Sequence, residues 1–196
     1  MKRFMFALLV SGMAISSVLA QGNWRTDKSH SNITFGIRHL VISEVVGNFG
    51  EWDVKVTSAK DDWSDATVEA VIKTASINTD NERRDNHLKS DDFFNAEQFP
   101  EVKFVSTGFE KTSENTYKIK GNITIRDITK PVSFDAEILG TLNDKQMGVR
   151  TGWKATTEIN RFDFGLKWNR ATEAGGLVAG EKVKITINLE LIKEAA

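Results

Sequence analysis

Thr116-Tyr117-Lys118-Ile119-Lys120-Gly121-Asn122-Ile123-Thr124-Ile125-Arg126 alternates without a break between residues that avoid water and residues that seek it. Tyr117, Ile119, Gly121, Ile123 and Ile125 fall on one side, with Lys118, Lys120, Asn122, Thr124 and Arg126 on the other. A period of two marks a strand with one dry and one wet face. The same period recurs upstream. Ile33, Phe35, Ile37 and His39 oppose Asn32, Thr34 and Arg38, and Trp52, Val54 and Val56 oppose Glu51, Asp53 and Lys55. Ala66, Val68, Ala70 and Ile72 follow, then Val102 and Phe104, the weakest case because Val105 breaks the wet face. Downstream come Val132, Phe134, Ala136 and Ile138, next Val149, Thr151, Trp153, Ala155, Thr157 and Ile159, and last Val183, Ile185, Ile187, Leu189 and Leu191. The pattern predicts an all-β chain of eight antiparallel strands.

Two segments depart from the alternation. Thr79-Asp80-Asn81-Glu82 reads as a capping box, with Thr79 as N-cap and Glu82 at N3. It opens a short helix between strands 3 and 4 that ends near Ser90, with Asp80/Arg84 and Asp85/Lys89 one turn apart and the acid first. The stretch 161–180, carrying Trp168 and Gly175-Gly176, reads as a long irregular loop before strand 8, a length common in lids. Lys130-Pro131 reads as the turn into the sixth strand.

Long amphipathic strands expose edges unless the sheet closes, and closure gives a barrel. At roughly 3.3 Å per residue and a tilt of about 40°, such a barrel stands about 30 Å tall. An eight-stranded barrel can be filled by its own side chains or can hold one small ligand. Several inward positions are small: Ala66, Ala70, Gly121, Ala136, Ala155 and Thr157. They favour a hollow lumen. The alternative is a packed core in which small residues face large ones such as Phe35, Trp52, Phe134 and Trp153. The expected lining is Phe35, Ile37, His39, Trp52, Val54, Val68, Ala70, Ile72, Phe104, Ile119, Gly121, Ile123, Phe134, Ala136, Trp153, Ala155, Ile185 and Ile187. A lumen so lined suits a hydrocarbon chain, since burial is worth about 0.8 kcal/mol per CH₂. One head-group hydrogen bond adds only about 1 kcal/mol net.

The chain opens with Lys2 and Arg3, a mostly apolar run to Leu19, and small residues at Val18 and Ala20. This reads as a signal peptide over 1–20, cleaved to leave a single domain over 21–196, and it implies export. Without Lys2 and Arg3 the chain holds 24 basic and 27 acidic residues, a net charge of about −3. No basic excess exists to grip nucleic acid or an anionic membrane. Cysteine is absent, which removes disulfides, thiol nucleophiles and most structural zinc sites.

Trp24-x-x-Asp27-x-x-His30-Ser31-x-Ile33-x-Phe35-x-Ile37-x-His39-Leu40, then Val46-Gly47-x-Phe49, is similar to the opening signature of the YceI-like proteins. Arg84-Asp85-x-His87-Leu88-Lys89-Ser90-x-Asp92-Phe93-Phe94, running into Phe99-Pro100-x-Val102-x-Phe104, resembles their central motif. Gly121-Asn122-Ile123-Thr124-Ile125, Thr129-Lys130-Pro131-Val132, Asn160-Arg161-x-Asp163-Phe164-Gly165 and Val183-x-Ile185-x-Ile187 complete a resemblance over essentially the whole mature chain. Asn122-Ile123 departs from the apolar pair frequent in that family. The resemblance implies an extended lipocalin-like eight-stranded antiparallel β-barrel that binds polyisoprenoid or other amphiphilic lipid chains in its pore. It also implies a periplasmic or secreted location, often a homodimer, roles in isoprenoid quinone handling and stress response, and no enzymatic reaction or cofactor.

Chemically active candidates are few. His39 continues the dry face of Ile33, Phe35 and Ile37, and suits either a head-group contact or a core histidine satisfied by backbone. Arg84 suits a head-group contact or an anchor for the helix, and Tyr117 is a further polar group on the dry side. His30 and His39 are nine residues apart and would lie on opposite faces of a continuous strand, and His87 belongs to another element, so no metal site is expected. The glycines before Glu181-Lys182 lack the Lys-Ser/Thr of a phosphate loop, and no Gly-x-Ser-x-Gly elbow occurs. Three readings remain: a carrier of a long-chain lipid or isoprenoid quinone, a structural or stress-related protein with a packed core, and an enzyme acting on lipid or quinone.

Overall fold

The computed structural model describes residues 22–170 and 177–194. Eleven strand segments form one antiparallel sheet: β1 (Asn23–Thr26), β2 (Asn32–His39), β3 (Ser43–Phe49), β4 (Trp52–Thr57), β5 (Thr67–Lys73), β6 (Ile77–Asn78), β7 (Glu101–Lys111), β8 (Thr116–Ile125), β9 (Ile128–Asp144), β10 (Gly148–Asn160) and β11 (Ala179–Lys193). The order β1-β4-β5-β7-β8-β9-β10-β11 closes on itself through a β1–β11 pairing, while β2, β3 and β6 continue the sheet from β11. Three of the barrel strands are therefore bent rods in two pieces: β1 with β2, β3 with β4, and β5 with β6. Counted this way the barrel has eight strands, as the alternation predicts.

The three bends lie side by side. A 3₁₀ turn, Lys28–His30, divides β1 from β2, Gly50-Glu51 divides β3 from β4, and a second 3₁₀ turn, Thr74–Ser76, divides β5 from β6. Gly50 N–H donates to the Ser76 carbonyl at 3.0 Å and Lys73 N–H to that of Glu51 at 2.9 Å, so hydrogen bonding continues across the crease. Where β11 passes it, Asp27 N–H donates to Glu190 O at 2.8 Å. The Ser31 hydroxyl accepts from Glu190 N–H at 2.9 Å, replacing a carbonyl that the 3₁₀ turn has moved away.

A short helix, α1 (Glu82–Lys89), lies between β6 and β7, that is, between barrel strands 3 and 4. Its cap differs from the expected one. Asn81 is the N-cap and accepts from Arg84 N–H at 2.9 Å. Asp80 sits outside the helix with φ 58°. Thr79 instead donates its backbone N–H and its hydroxyl to Oδ1 of Asp85, at 2.9 and 2.5 Å. Asp85 is buried, so the expected Asp85/Lys89 surface pair gives way to an internal anchor. Lys130-Pro131 lies inside β9 rather than in a turn; the turn is Arg126-Asp127, with Arg126 at φ 57°. Pro131 is tolerated because the β9–β10 ladder runs only as far as Asp135, leaving no bond for a Pro131 N–H to make. The loop before β11 begins with a 3₁₀ turn, Arg161–Phe164, and its Gly175-Gly176 pair lies outside the described residues. Among the described residues no helix is long and apolar enough to cross a membrane.

The β2–β3 hairpin turns on Leu40 and Val41 at φ 52° and 67°, a conformation that suits Asn and Gly and that a β-branched side chain resists. Replacing both (Leu40→Asn with Val41→Gly) should stabilise the fold by about 1–2 kcal/mol, read as a higher urea midpoint at unchanged slope.

Candidate functional site

The barrel interior divides into two halves with different contents. One half is filled with aromatic rings. Trp63 packs against Trp24 at 4.8 Å between centroids and edge-on against Trp153 at 5.0 Å, and Trp153 against Tyr117 at 5.2 Å. Trp63 reaches this position from the β4–β5 loop. Asp65 holds that loop by accepting from the Ser58 hydroxyl at 2.9 Å, Ala59 N–H at 3.1 Å and Lys60 N–H at 3.2 Å. Trp24, Trp52, Tyr117 and Ala136 are buried in this plug.

Above the plug lies a cavity of about 350 Å³, within the range of about 300–1,000 Å³ usual for small-molecule sites. Phe35, Ile37, His39, Val54, Val68, Ala70, Ile72, Phe104, Ile119, Ile123, Phe134, Trp153, Ala155, Ile185 and Ile187 line it, as does Arg84. Trp52, Gly121, Ala136 and Tyr117, expected on the wall, are not there. Trp52, Ala136 and Tyr117 belong to the plug. Gly121 is covered by Phe104: a Cβ at residue 121 would lie 2.4 Å from that ring and 2.5 Å from the Val105 carbonyl. Its small size makes room for an aromatic ring rather than for a guest. Ala70 and Ala155, by contrast, do border the cavity.

The wall also includes residues that strand periodicity does not reach. Leu88 comes from α1, Phe93 and Phe94 from the turn after it, and Leu166, Trp168 and Val178 from the loop before β11. His87 meets Phe93 and Trp168 edge-on at 5.1 and 5.2 Å, and Phe93 packs tilted against Trp168 at 5.5 Å. Leu88, Leu166 and Trp168 stand singly between polar residues or glycine, so no local pattern marks them as wall positions.

Polar side chains gather where α1 and that loop meet β2. Arg84 donates from Nε to the Thr79 hydroxyl at 2.8 Å and from Nη2 to the Thr79 carbonyl at 2.7 Å, so it anchors the helix while bordering the cavity. His87 Nε2 lies 2.7 Å from Asp92 Oδ2. Arg161, unnoticed as a site residue in the sequence, is buried in the wall and makes four hydrogen bonds to backbone carbonyls.

A family model for the YceI-like domain matches residues 24–191. This chain belongs to the YceI-like family. Among curated relatives, UPF0312 proteins of Staphylococcus aureus strains MSSA476 and MW2 are each 40% identical over 169 residues, covering 86% of this chain and 96% of theirs. A Campylobacter jejuni YceI protein of known structure is 31% identical, with a TM-score of 0.68 over 81% of this chain and 90% of that one. Burkholderia cenocepacia BcnA shares the fold with a TM-score of 0.73 at 17% identity, over 84% of this chain and 98% of that one. So does a polyisoprenoid binding domain from Saccharophagus degradans, with a TM-score of 0.60 at 13% identity, over 89% and 99% of the two chains.

Within this YceI-like barrel several motif residues serve the seam rather than the cavity. His30 lies in the 3₁₀ turn, so β1 and β2 are not the continuous strand that the spacing of His30 and His39 suggests. Asp27, His30 and Glu190 offer ligand atoms all within 4.8 Å of one another. Arg150 Nη1, at 3.2 Å from Asp27 and 2.6 Å from Glu190, already balances the two carboxylates, which makes this an ion-pair network. The Ser29 hydroxyl, then His30, hold the Asp27 carboxyl well below the usual carboxylate range. A depressed pKa means stability that is present above the unfolded value, about 3.9, and lost as pH falls toward the folded one. Acid titration of stability below about pH 4 should therefore be steeper in the parent than in Asp27→Asn.

The Phe104 ring lying over Gly121 supplies a second expectation. Gly121→Ala should destabilise the barrel by about 1–3 kcal/mol in urea unfolding, because the added methyl displaces Phe104 or the β7 backbone.

Proposed function

We propose that this protein binds one long apolar lipid chain, a polyisoprenoid or an isoprenoid quinone, within the open half of its barrel, and stores or carries it without chemical change. The observation that carries the reading is the division of the lumen: an aromatic floor, walls of Val, Ile, Phe and Ala side chains, and polar groups confined to one end. Such a space rewards length. Each buried CH₂ is worth about 0.8 kcal/mol, so ten to fifteen carbons outweigh the entropy of binding, with no polar contact required. The Saccharophagus degradans domain, described as polyisoprenoid binding, supports the same guest class. The basic start, apolar run and Ala20 support export and action in the periplasm. A non-catalytic role is supported by the polar residues of the wall, which are occupied in anchoring backbone and helix: Arg84 on Thr79, Arg161 on four carbonyls.

The packed-core alternative draws on the aromatic plug, and the two readings differ at Ala155. In a filled interior Ala155→Leu overpacks and costs about 1–3 kcal/mol. Beside a cavity it leaves stability within about 1 kcal/mol and takes space from the guest. Native mass spectrometry of gently purified protein should show a bound chain, and several-fold less of it in Ala155→Leu at an unchanged unfolding midpoint. A parent protein that carries and takes up no lipid would overturn the proposal.

A further inference from the structure

Among the described residues the cavity wall contains no Asp or Glu; its ionisable residues are Arg38, His39, Arg84, His87, Lys103 and Arg161. This is unexpected in a chain with a formal net charge of −1. Most of these side chains are answered or turned away. Lys103 occupies an outward position on β7, with its ammonium 3.0 Å from Glu101. Arg38 occupies an outward, exposed position on β2. Arg84 shares Thr79 with buried Asp85, which returns a negative charge to its neighbourhood. His87 has Asp92.

Arg161 differs. It is 3% exposed and forms no ion pair among the described residues. Its Nε donates to Gly180 O at 2.7 Å, Nη1 to Leu166 O at 2.6 Å and Trp168 O at 2.8 Å, and Nη2 to Ala179 O at 3.1 Å. The Phe162 ring lies 4.3 Å from the guanidinium carbon. Carbonyls and a ring face solvate a cation without cancelling its charge. Burial pushes the Arg161 pKa down, and Glu181, an exposed residue, opposes this from a distance. A guanidinium has five N–H donors, and one on Nη2 is not engaged among the described residues. The protein thus keeps a full positive charge in the wall of an apolar space, where low dielectric lengthens its reach. Donating to four carbonyls takes a guanidinium, and none of those four partners neutralises the charge that comes with it.

We propose that the preferred guest is an acidic amphiphile, whose carboxylate or phosphate head takes Arg161 as its counter-ion while its chain fills the cavity. The proposal rests on the lipid-chain reading and narrows its guest from any long chain to one ending in an anionic oxygen acid. A neutral quinone or alcohol would fill the same space and leave the charge unanswered.

The test compares equal chains with different heads. Dodecanoate, dodecyl phosphate and 1-dodecanol are titrated below micellar concentrations against the full chain at pH 8, following displacement of the neutral dye N-phenyl-1-naphthylamine, with inorganic phosphate alone as a control. Both acids should bind at least tenfold more tightly than the alcohol, and inorganic phosphate should displace nothing. In Arg161→Gln, if folded by thermal melting, the preference should fall to less than twofold; if it does not fold, the parent comparison decides. An alcohol as tight as the acids overturns the acidic guest and leaves the lipid-chain reading standing. A preference that survives in folded Arg161→Gln, or displacement by inorganic phosphate alone, also overturns it. No displacement by any of the three chains removes both readings.

Discussion

The fold depends on β11 pairing with two strands in succession. Its last residues, Leu191 to Lys193, close the barrel against β1, and the stretch from Ala179 to Asn188 pairs with β2. Between them the 3₁₀ turn Lys28–His30 interrupts the partner strand, and a ladder cannot skip a position without leaving a donor unmet. Asp27 N–H and the Ser31 hydroxyl fill that gap on Glu190. The Asp27–Arg150–Glu190 network holds the same point from the side-chain face. This accounts for the close spacing of Asp27, His30 and Ser31 in the opening motif.

The crease has a counterpart inside. A barrel of eight strands is narrow enough that a few aromatic residues can fill it, and here they fill one half. Trp63 enters from a loop and bridges Trp24 and Trp153, and the indole N–H groups of Trp24 and Trp153 are buried without a hydrogen-bond acceptor among the described residues. An unmet donor costs about 1–3 kcal/mol, so the plug is bulky at some expense in hydrogen bonding. The other half is left to side chains too short to meet across it, with Ala70 and Ala155 on strands that face each other across the barrel. The hollow and packed readings of the sequence each describe one half of the same lumen.

Long strands are legible because alternation sustained over ten or more residues is seldom produced by anything but a half-buried strand. β8 and β11 emerge as predicted. β3 is hidden because its dry face includes Gly47, over which Phe35 lies so closely that a Cβ would come within 2.4 Å of the ring, while exposed Val46 reads as dry. β1, four residues long, offers too few periods to count. Within the site, alternation locates wall positions but cannot rank them by height. Gly121, Ala136 and Ala155 are equally small and inward in sequence, yet only Ala155 borders the cavity. What separates them is which large ring lies nearby, and that depends on register between strands far apart in the chain. Trp63, Phe93 and Trp168 reach the interior from segments without regular period, so nothing local announces them.

Arg161 shows how far sequence alone can mislead about charge. In the sequence it opens a loop and belongs to a family motif with no assigned role; in the fold its guanidinium ties Leu166 and Trp168 to the start of β11. The same side chain therefore positions Trp168, which packs against His87 and Phe93 beside the cavity. Anything that alters the solvation of that guanidinium acts on the segment forming this end of the wall. A buried cation held by neutral dipoles is stable only while those dipoles stay in place. A negative charge placed beside it would add an ion pair to the carbonyl bonds that hold Leu166 and Trp168 in the wall.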